Sequence, residues 1–326
     1  MNILITAASR RVSLTRLFRK ALRPYGGKVI AVDYETHSPA LFFADKHYVV
    51  PLVHDPGYIS LVQDICIKEN VSLIIPTIDQ ELQAWAKNKS KFGEKGIHVS
   101  ISDEVTIRTF TDKLNTYQAL SKENIPFPYT FIPNAGQKPD HFPLFVKPRK
   151  GRGSVGAFPV RNEKEFVFFT GYVKDPVMQT YLDGKEFTVD AFFDRNGNLI
   201  RCIPRQRLVI RSGVSDRGVT FSNLRLTELV SRIGKSFKFE GAINIQGKMV
   251  DESNISFFEI NPRFSGGIQL SAASDISFAH LLVKEMQGET LIPSLFEYQV
   301  GMMMTSYEDS LFIDASNRLI NPPAVL

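Results

Sequence analysis

In the N-terminal third of the chain, short apolar runs alternate with stretches whose apolar residues recur every three or four positions. Asn2–Thr6 (NILIT), Lys28–Asp33 (KVIAVD), His47–Val50 (HYVV) and Ser72–Pro76 (SLIIP) read as strands. Helical periodicity fills Arg10–Leu22, Pro56–Glu69 and Asp79–Lys91, and Pro24 with Gly26 and Gly27 stops the first of these. Strands that are apolar almost throughout, separated by helices, are those of a parallel sheet with helices on both faces. The expectation is a Rossmann-like N-terminal domain.

The pattern then changes. A helical stretch from Glu104 to Asn124, with Asp112 placed as an N-cap before Lys113, ends at Pro126 and Pro128. Strands follow at Tyr129–Ile132, Leu144–Pro148, Ala157–Val160, Val177–Thr180 and Glu186–Phe193, interrupted by a helix near Asn162–Gly171. The RNGN turn, Arg195–Asn198, joins hairpin strands. After a helix at Leu224–Phe237 comes a last strand pair, Ala242–Val250 and Ile255–Ile260. No internal repeat or low-complexity linker separates the units, so they are expected to pack together.

Composition narrows the class. At 326 residues the chain exceeds one ordinary core, and 43% hydrophobic with 22% charged residues suits a soluble globular enzyme. No apolar run is long enough for a membrane span. The arginines of MNILITAASRR follow the apolar run, the reverse of a signal peptide. Cys66 and Cys202 have no CxxC spacing and read as reduced thiols of a cytoplasmic protein; the six histidines form no zinc pattern. A net charge of +5 suits an anionic small substrate, without the basic and aromatic clustering of a nucleic-acid surface.

A dinucleotide domain is the first candidate chemistry. Asp33 closes the second strand, where an acid for the NAD ribose stands. The turn after the first strand reads TAASRRVS, and without glycine its backbone has no close approach to a pyrophosphate. Ser9, Arg10 and Arg11 could hold a smaller anion there, or simply form a solvated basic helix start.

The stretch LFVKPRKGRGSVGAF sets Gly151, Gly153, Ser154 and Gly156 among the cations Lys147, Arg149, Lys150 and Arg152, between two strands. It lacks the P-loop order and the following helix. Phosphate affinity would have to come from backbone N–H groups and the cations, with the loop acting as a lid; a basic surface hairpin is the alternative.

The segment INIQGKMVDESNISFFEINPRFSGG carries the strongest signal. If Asp251–Asn254 is a four-residue turn, Val250 pairs with Ile255, Gln246 lies opposite Glu259, and Asn244 opposite Asn261. Alternation puts these four on one face and Ile243, Ile245, Phe258 and Ile260 on the other. One carboxylate with carboxamide oxygens suits Mg2+ that takes its remaining ligands from nucleotide phosphates; the alternative is the wet side of an amphipathic hairpin. Arg263 follows beside the phosphates. In VMQTYLDGKEFTVDAFFD, Glu186, Thr188 and Asp190 share a strand face. Gln179–Leu182 can offer backbone groups to an adenine edge, and Glu186 can accept from ribose hydroxyls.

Taken in order, DK, VKPxxGxGSxG, MQxYLxGxEFTVD and Q-x12-E-x-NPR resemble the ATP-grasp superfamily, and most closely an ATP-grasp unit of the carbamoyl phosphate synthase large chain. The resemblance covers Thr111 to Ala273, and the N-terminal α/β domain is similar to the one that precedes ATP-grasp units. It implies an α/β and α+β chain: a Rossmann-like domain over 1–108, a lid subdomain over 109–180, and a C-terminal subdomain with the metal hairpin over 181–326. It implies ATP and a pair of Mg2+ ions, with Mn2+ as a substitute. Lys113 and Lys147 would contact the phosphates, Gly151, Gly153, Ser154 and Gly156 would form the lid, and Gln179, Thr180, Tyr181 and Leu182 would hold adenine. Glu186 would hold the ribose, Gln246, Glu259 and Asn261 the metal, and Arg263 would follow the metal motif.

The chemistry so implied is phosphorylation of a carboxylate by ATP, with attack on the acyl phosphate by an amine. It needs positioning and charge neutralisation rather than a covalent triad. The chain has room for one ATP-grasp unit, and FSGG follows NPR where the synthase pattern has another arginine. A stand-alone carboxylate–amine ligase is therefore expected. The alternatives are a carbamoyl-phosphate-synthase-type reaction on bicarbonate and a non-catalytic nucleotide-binding module. Asp79 and Glu81, at a strand end, are candidates for holding an amine. Arg205, Arg207 and Arg211, on one strand face by alternation, are candidates for a substrate carboxylate or the γ-phosphate. Expected partners are small molecules, without nucleic acid or membrane; a homodimer is compatible with the sequence.

Overall fold

The computed structural model describes residues 1–134, 136, 139–151 and 153–320. Two compact units share the chain. One comprises Met1–Thr77, Lys89–Ser100 and the segment from Thr305 onward, the other Ile78–Asn88 and Ile101–Met304.

The first unit holds a parallel sheet of β1 (Asn2–Ile5), β2 (Val29–Asp33), β3 (Lys46–Val49), β4 (Val71–Ile75) and β5 (His98–Val99), in the order β3-β2-β1-β4-β5. Ile3–Ile5 and Val29–Val32 are fully buried, as strands covered on both faces must be. Helices α1 (Val12–Leu22) and α2 (Tyr58–Lys68) follow the expected periods. α1 starts later than its apolar pattern because Ala7 and Ser9 turn through positive φ, 44° and 43°. Asp33 fixes that turn, its Oδ2 accepting from the Ser9 N–H at 2.6 Å, and Arg11 donates to the Thr77 carbonyl at 2.6 Å. The acid at the end of β2 is thus committed to the backbone of the first turn. α3 (Asp79–Gly93) begins in the second unit.

In the second unit the single helix expected from Glu104 to Asn124 is two, α4 (Glu104–Phe110) and α5 (Lys113–Lys122). Asp112 interrupts it. Its backbone is extended, and its Oδ1 accepts from the N–H groups of Leu114 and Asn115, so the chain restarts a helix at Lys113. A small antiparallel sheet follows: β6 (Thr130–Phe131), β7 (Leu144–Pro148), β8 (Phe158–Val160) and β9 (Pro176–Thr180), ordered β6-β9-β7-β8. With α6 (Glu163–Tyr172, capped by Asn162) it encloses its own core of Leu144, Val146, Val160, Phe166 and Met178.

The larger sheet contains β10 (Lys185–Phe193), β11 (Leu199–Arg211), β12 (Val214–Thr220), β13 (Gly241–Met249), β14 (Ile255–Asn261) and β15 (Met303–Thr305), ordered β14-β13-β10-β11-β12-β15. Phe187, Val189, Ile243, Ile245, Phe257 and Ile260 pack on Leu229 and Ile233 of α7 (Leu224–Ser236). The opposite face of these strands is polar and carries the candidate site. Helices α8 (Ile268–Ser274) and α9 (Phe278–Met286) complete the unit. Among the described residues no helix is long and apolar enough to cross a membrane.

Arg205, a candidate substrate ligand in the sequence, is spent on structure. Its Nε donates to Asp190 Oδ2 at 2.8 Å, Nη1 to Ser215 at 2.8 Å and Nη2 to Ser265 at 3.3 Å, while Ser271 donates to Asp190 at 2.6 Å. The side chains of this pair are 3% and 1% exposed. Asp190→Ala should therefore destabilise the protein by about 3–5 kcal/mol, because it strands a buried guanidinium without its counter-charge. Chemical denaturation measures it, and a cost below about 1 kcal/mol would contradict the assignment.

Candidate functional site

The hairpin β13–β14 sets the site. Asn244 pairs with Asn261 and Gln246 with Glu259, as the sequence predicts, but the route differs. Met249, not Val250, pairs with Ile255, and the Val250 N–H donates to the Asn254 carbonyl across a longer turn. The register slips by one and is restored by a bulge, since Gly247 pairs with Phe257 and leaves Phe258 as the extra residue. The bulge reverses the expected facing of the two phenylalanines: Phe257 is fully buried in the core, and Phe258 turns to the polar face. Gly247 permits it, because a Cβ there would stand 2.4 Å from the Phe187 ring and 2.5 Å from the Ser256 carbonyl oxygen.

On that face a cavity of about 290 Å³ gathers residues from both sheets. Lys113, Lys147, Gly151, Gly153 and Ser154 line one side, and Gln179, Thr180, Tyr181, Leu182 and Glu186 another. Gln246, Glu259, Asn261 and Arg263 line the floor. Gly156 is not among the lining residues; at φ +72°, it closes the loop onto Pro148. Arg152, one of the loop cations, lies outside the described residues.

Asp112 joins the two cation-bearing segments. Besides capping α5 it accepts from Arg149 Nε at 2.8 Å through Oδ2, and the Lys113 N–H donates to the Arg149 carbonyl at 3.1 Å. The Arg149 guanidinium is held above its ordinary value by that hydrogen bond. Lys113 Nζ is thereby brought to 3.2 Å from the Gly151 carbonyl and 3.7 Å from Glu259 Oε1. Lys147, 7% exposed, donates to the Phe258 carbonyl at 3.2 Å and lies 5.5 Å from the Phe258 ring centre. Burial pushes its ammonium down to about 7, with Glu259 opposing and Lys113 adding to the shift.

The oxygen set is coherent. Asn244 Oδ1 accepts from Gln246 Nε2 at 3.3 Å and from Asn261 Nδ2 at 3.2 Å, and Asn261 Nδ2 also donates to Glu259 Oε2 at 3.2 Å. One carboxylate and two carboxamides supply only hard oxygen donors, which fit a magnesium ion that draws its other ligands from phosphate and water. Among the described residues no group of three or more His, Cys, Asp and Glu side chains is suited to a metal by itself.

Arg263 is committed to Asp79, with Nε to Oδ1 at 2.9 Å and Nη2 to Oδ2 at 2.6 Å, and also donates to Asn261 Oδ1 at 3.3 Å. Burial works against its charge, but Asp79 outweighs it and holds the guanidinium above its ordinary value. The other acid of that segment is removed from substrate: Glu81 is 1% exposed and accepts from the Ile78 N–H and the Trp85 indole. Asp79 also lines a neighbouring cavity of about 410 Å³ with Gln80, Gln83, Thr111 and Lys150, which shares Lys113, Gly151, Glu259 and Asn261 with the first.

Of the three arginines expected on one face, Arg205 and Arg207 share it, bonded to Asp190 and to Glu186, and Arg211 does not. Bulges after Arg207 and Val209 then break the alternation, so that Ile210 joins Arg207 on the cavity wall. Arg211 points away, its side chain 64% exposed and 3.7 Å from Asp216. Lys248, not anticipated, also lines the cavity; it donates to the Leu182 carbonyl at 3.0 Å and lies 5.2 Å from the Tyr181 ring centre. The signal for Phe258 was the glycine inside β13, a usual mark of a bulge. Lys248 carried no local signal.

Two family models match the chain. Residues 3–100 match the PylC-like N-terminal domain, and residues 173–309 match the ATP-grasp domain of a biosynthetic pathway with the Ter operon. A D-alanine–D-alanine ligase of Petrotoga mobilis is 28% identical over 160 residues, covering 48% of this chain and 52% of that protein. The carbamoyl phosphate synthase large chain of Methanobrevibacter smithii is 24% identical over 300 residues, covering 83% of this chain and 28% of that one. The chain thus spans about half or less of these relatives. Among solved structures, the biotin carboxylase domain of Hydrogenobacter thermophilus 2-oxoglutarate carboxylase, bound to MgADP, ADP and bicarbonate, superposes with a TM-score of 0.76. That match has 17% identity and covers 92% of this chain and 73% of that one.

Proposed function

This chain carries an ATP-grasp unit behind a PylC-like N-terminal domain, and from that premise we propose that it is an ATP-dependent, ADP-forming carboxylate–amine ligase. The observation that carries the reading is the convergence of Lys113, Lys147, the glycine loop and the Gln246–Glu259–Asn261 oxygens on one cavity. Cations and loop N–H groups would bind the phosphates, the Gln179–Leu182 segment would hold adenine, and Glu186 the ribose. Gln246, Glu259 and Asn261 would hold magnesium, which neutralises charge on the transferring phosphate. The neighbouring cavity, shared through Lys113 and Glu259, is the proposed seat of the carboxylate substrate, with Gln80, Gln83 and Thr111 among its polar lining. Transfer of the terminal phosphoryl group gives ADP and an acyl phosphate; attack by an amine expels phosphate and forms the amide.

The match to the Methanobrevibacter smithii synthase chain favours, as a second reading, phosphorylation of bicarbonate or carbamate. The loop after Arg263 weighs against it. It has glycine where a further cationic side chain would be needed, and a Cβ on Gly266 would press on Val214 at 3.0 Å and one on Gly267 on Arg205 at 3.0 Å. Burial pushes the thiols of Cys66 and Cys202 up to about 12, and such free, unreactive thiols suit the cytoplasm.

The test is ADP release from Mg·ATP against amino acids, hydroxy acids and bicarbonate, each with and without an amine donor. Turnover should require a carboxylate and rise with an amine, and mass spectrometry should show the amide. ADP release with bicarbonate alone would favour the second reading. Tight nucleotide binding with no turnover across the panel would favour a non-catalytic module.

A further inference from the structure

Arg207 is 8% exposed, lines the nucleotide cavity and reaches three segments at once. Nη1 donates to Glu186 Oε1 on β10 at 2.7 Å and to Gln246 Oε1 on β13 at 3.0 Å. Nη2 donates to the Gly213 carbonyl, in the turn between β11 and β12, at 2.7 Å. Its buried Nε has no hydrogen-bond partner.

That turn meets the glycine loop. Gly213 has φ +76°, and a Cβ on it would stand 2.8 Å from Gly153 Cα and 3.2 Å from Gly153 C, so the two segments touch backbone to backbone. Gly151 and Gly156 rest on Pro148 at the base of the loop, 3.4 and 3.1 Å from its ring carbons by the same measure, whereas Gly153 rests on the turn. Both glycines sit at positive φ, and the contact closes only because Gly213 carries no side chain.

We propose that Arg207 is a positioning residue for the glycine loop. It holds the Ser212–Gly213 turn as the stop against which Gly153 seats, and the same guanidinium orients Glu186 and Gln246. This rests on the nucleotide reading of the cavity. The role needs a fork, because one end of the guanidinium serves the two acceptors of the floor and the other the turn; a lysine ammonium offers a single point. Released from its stop, the loop admits water to bound ATP, which is then hydrolysed to ADP and phosphate without forming amide.

The experiment compares the full-length wild type, Gly213→Ala and Arg207→Lys. Tryptic cleavage after Lys150 is followed by mass spectrometry with and without Mg2+ and a non-hydrolysable ATP analogue at saturation, and calorimetry gives each affinity. In the wild type the analogue should slow cleavage by about tenfold or more, as a seated loop is withdrawn from protease. Gly213→Ala should bind the analogue within about fivefold of wild type yet gain less than about twofold protection, because the added methyl unseats the loop. Arg207→Lys should bind more weakly and, at saturation, also lose protection. Wild-type protection in either saturated variant would overturn the role of Arg207. Failure of the wild type to bind the analogue would instead overturn the nucleotide reading, and this inference with it.

Discussion

Lys147→Met is expected to slow ATP turnover severely while leaving the ligand-free protein at least as stable as the wild type. The two effects share one cause. Lys147 is buried and held by the Phe258 carbonyl, and burial lowers its ammonium from 10.5 to about 7. The unfolded chain therefore binds a proton at this residue between about pH 7 and 10.5 that the folded protein does not. Its contribution makes stability rise with pH across that window, and below it the folded protein carries the full cost of the buried charge. Methionine removes that cost, so the pH-dependent difference in melting temperature between the two proteins should close above pH 10. Nucleotide phosphates would reverse the shift and recharge the amine. At pH 8 the wild type should take up close to one proton on binding Mg·ATP, read by calorimetry in buffers of different ionisation enthalpy, and the variant none. Turnover should fall by about 10²–10³-fold, the scale of losing a preorganised charge at the reacting phosphate. Equal proton uptake in both proteins would sink the assignment.

Glu259→Gln is expected to separate nucleotide binding from its metal dependence. Glu259 is the carboxylate of the Gln246–Glu259–Asn261 set, and the change keeps its shape while removing its charge. Because the side chain is 24% exposed, the fold should lose little. Wild-type affinity for ATP should rise markedly when Mg2+ replaces EDTA, and in the variant that gain should vanish. Turnover should drop by about 10³-fold, as metal-borne charge neutralisation is lost. If Mg2+ strengthens ATP binding equally in both proteins, Glu259 does not hold the metal.

Most of the architecture was legible in the sequence because its signals are local. Apolar strands alternating with helical periods could build little other than a parallel sheet, whereas the bond from the Ser9 N–H to Asp33 joins two strand ends that no local pattern links. The candidate site was partly legible. Gln246 does face Glu259, although the expected turn was too short and the Phe258 bulge restored a register that the turn alone would have shifted. That compensation depends on Phe187 packing against Gly247, a contact 60 residues apart in sequence, which no turn rule contains.

The arginines mark the boundary. Residue type alone set cations at Arg205, Arg207, Arg211 and Arg263 and acids at Asp79 and Glu81. Their uses followed from what stood opposite once the chain had folded: Asp190 for Arg205, Asp79 for Arg263, Trp85 for Glu81, and Asp216 for Arg211. Arg207, whose side chain meets Glu186, Gln246 and Gly213, keeps the face that alternation from Arg205 gives it, because the bulges in β11 come only after it. Strand and helix periods and the glycine loop follow from the sequence alone, since periodicity and turn chemistry act over a few residues, whereas the pairing of Gln246 with Glu259 also needs the bulge that the Phe187 contact with Gly247 accommodates. Only the tertiary structure decided which charges are neutralised inside the fold and which are left to a ligand, because burial and counter-charge come from distant segments.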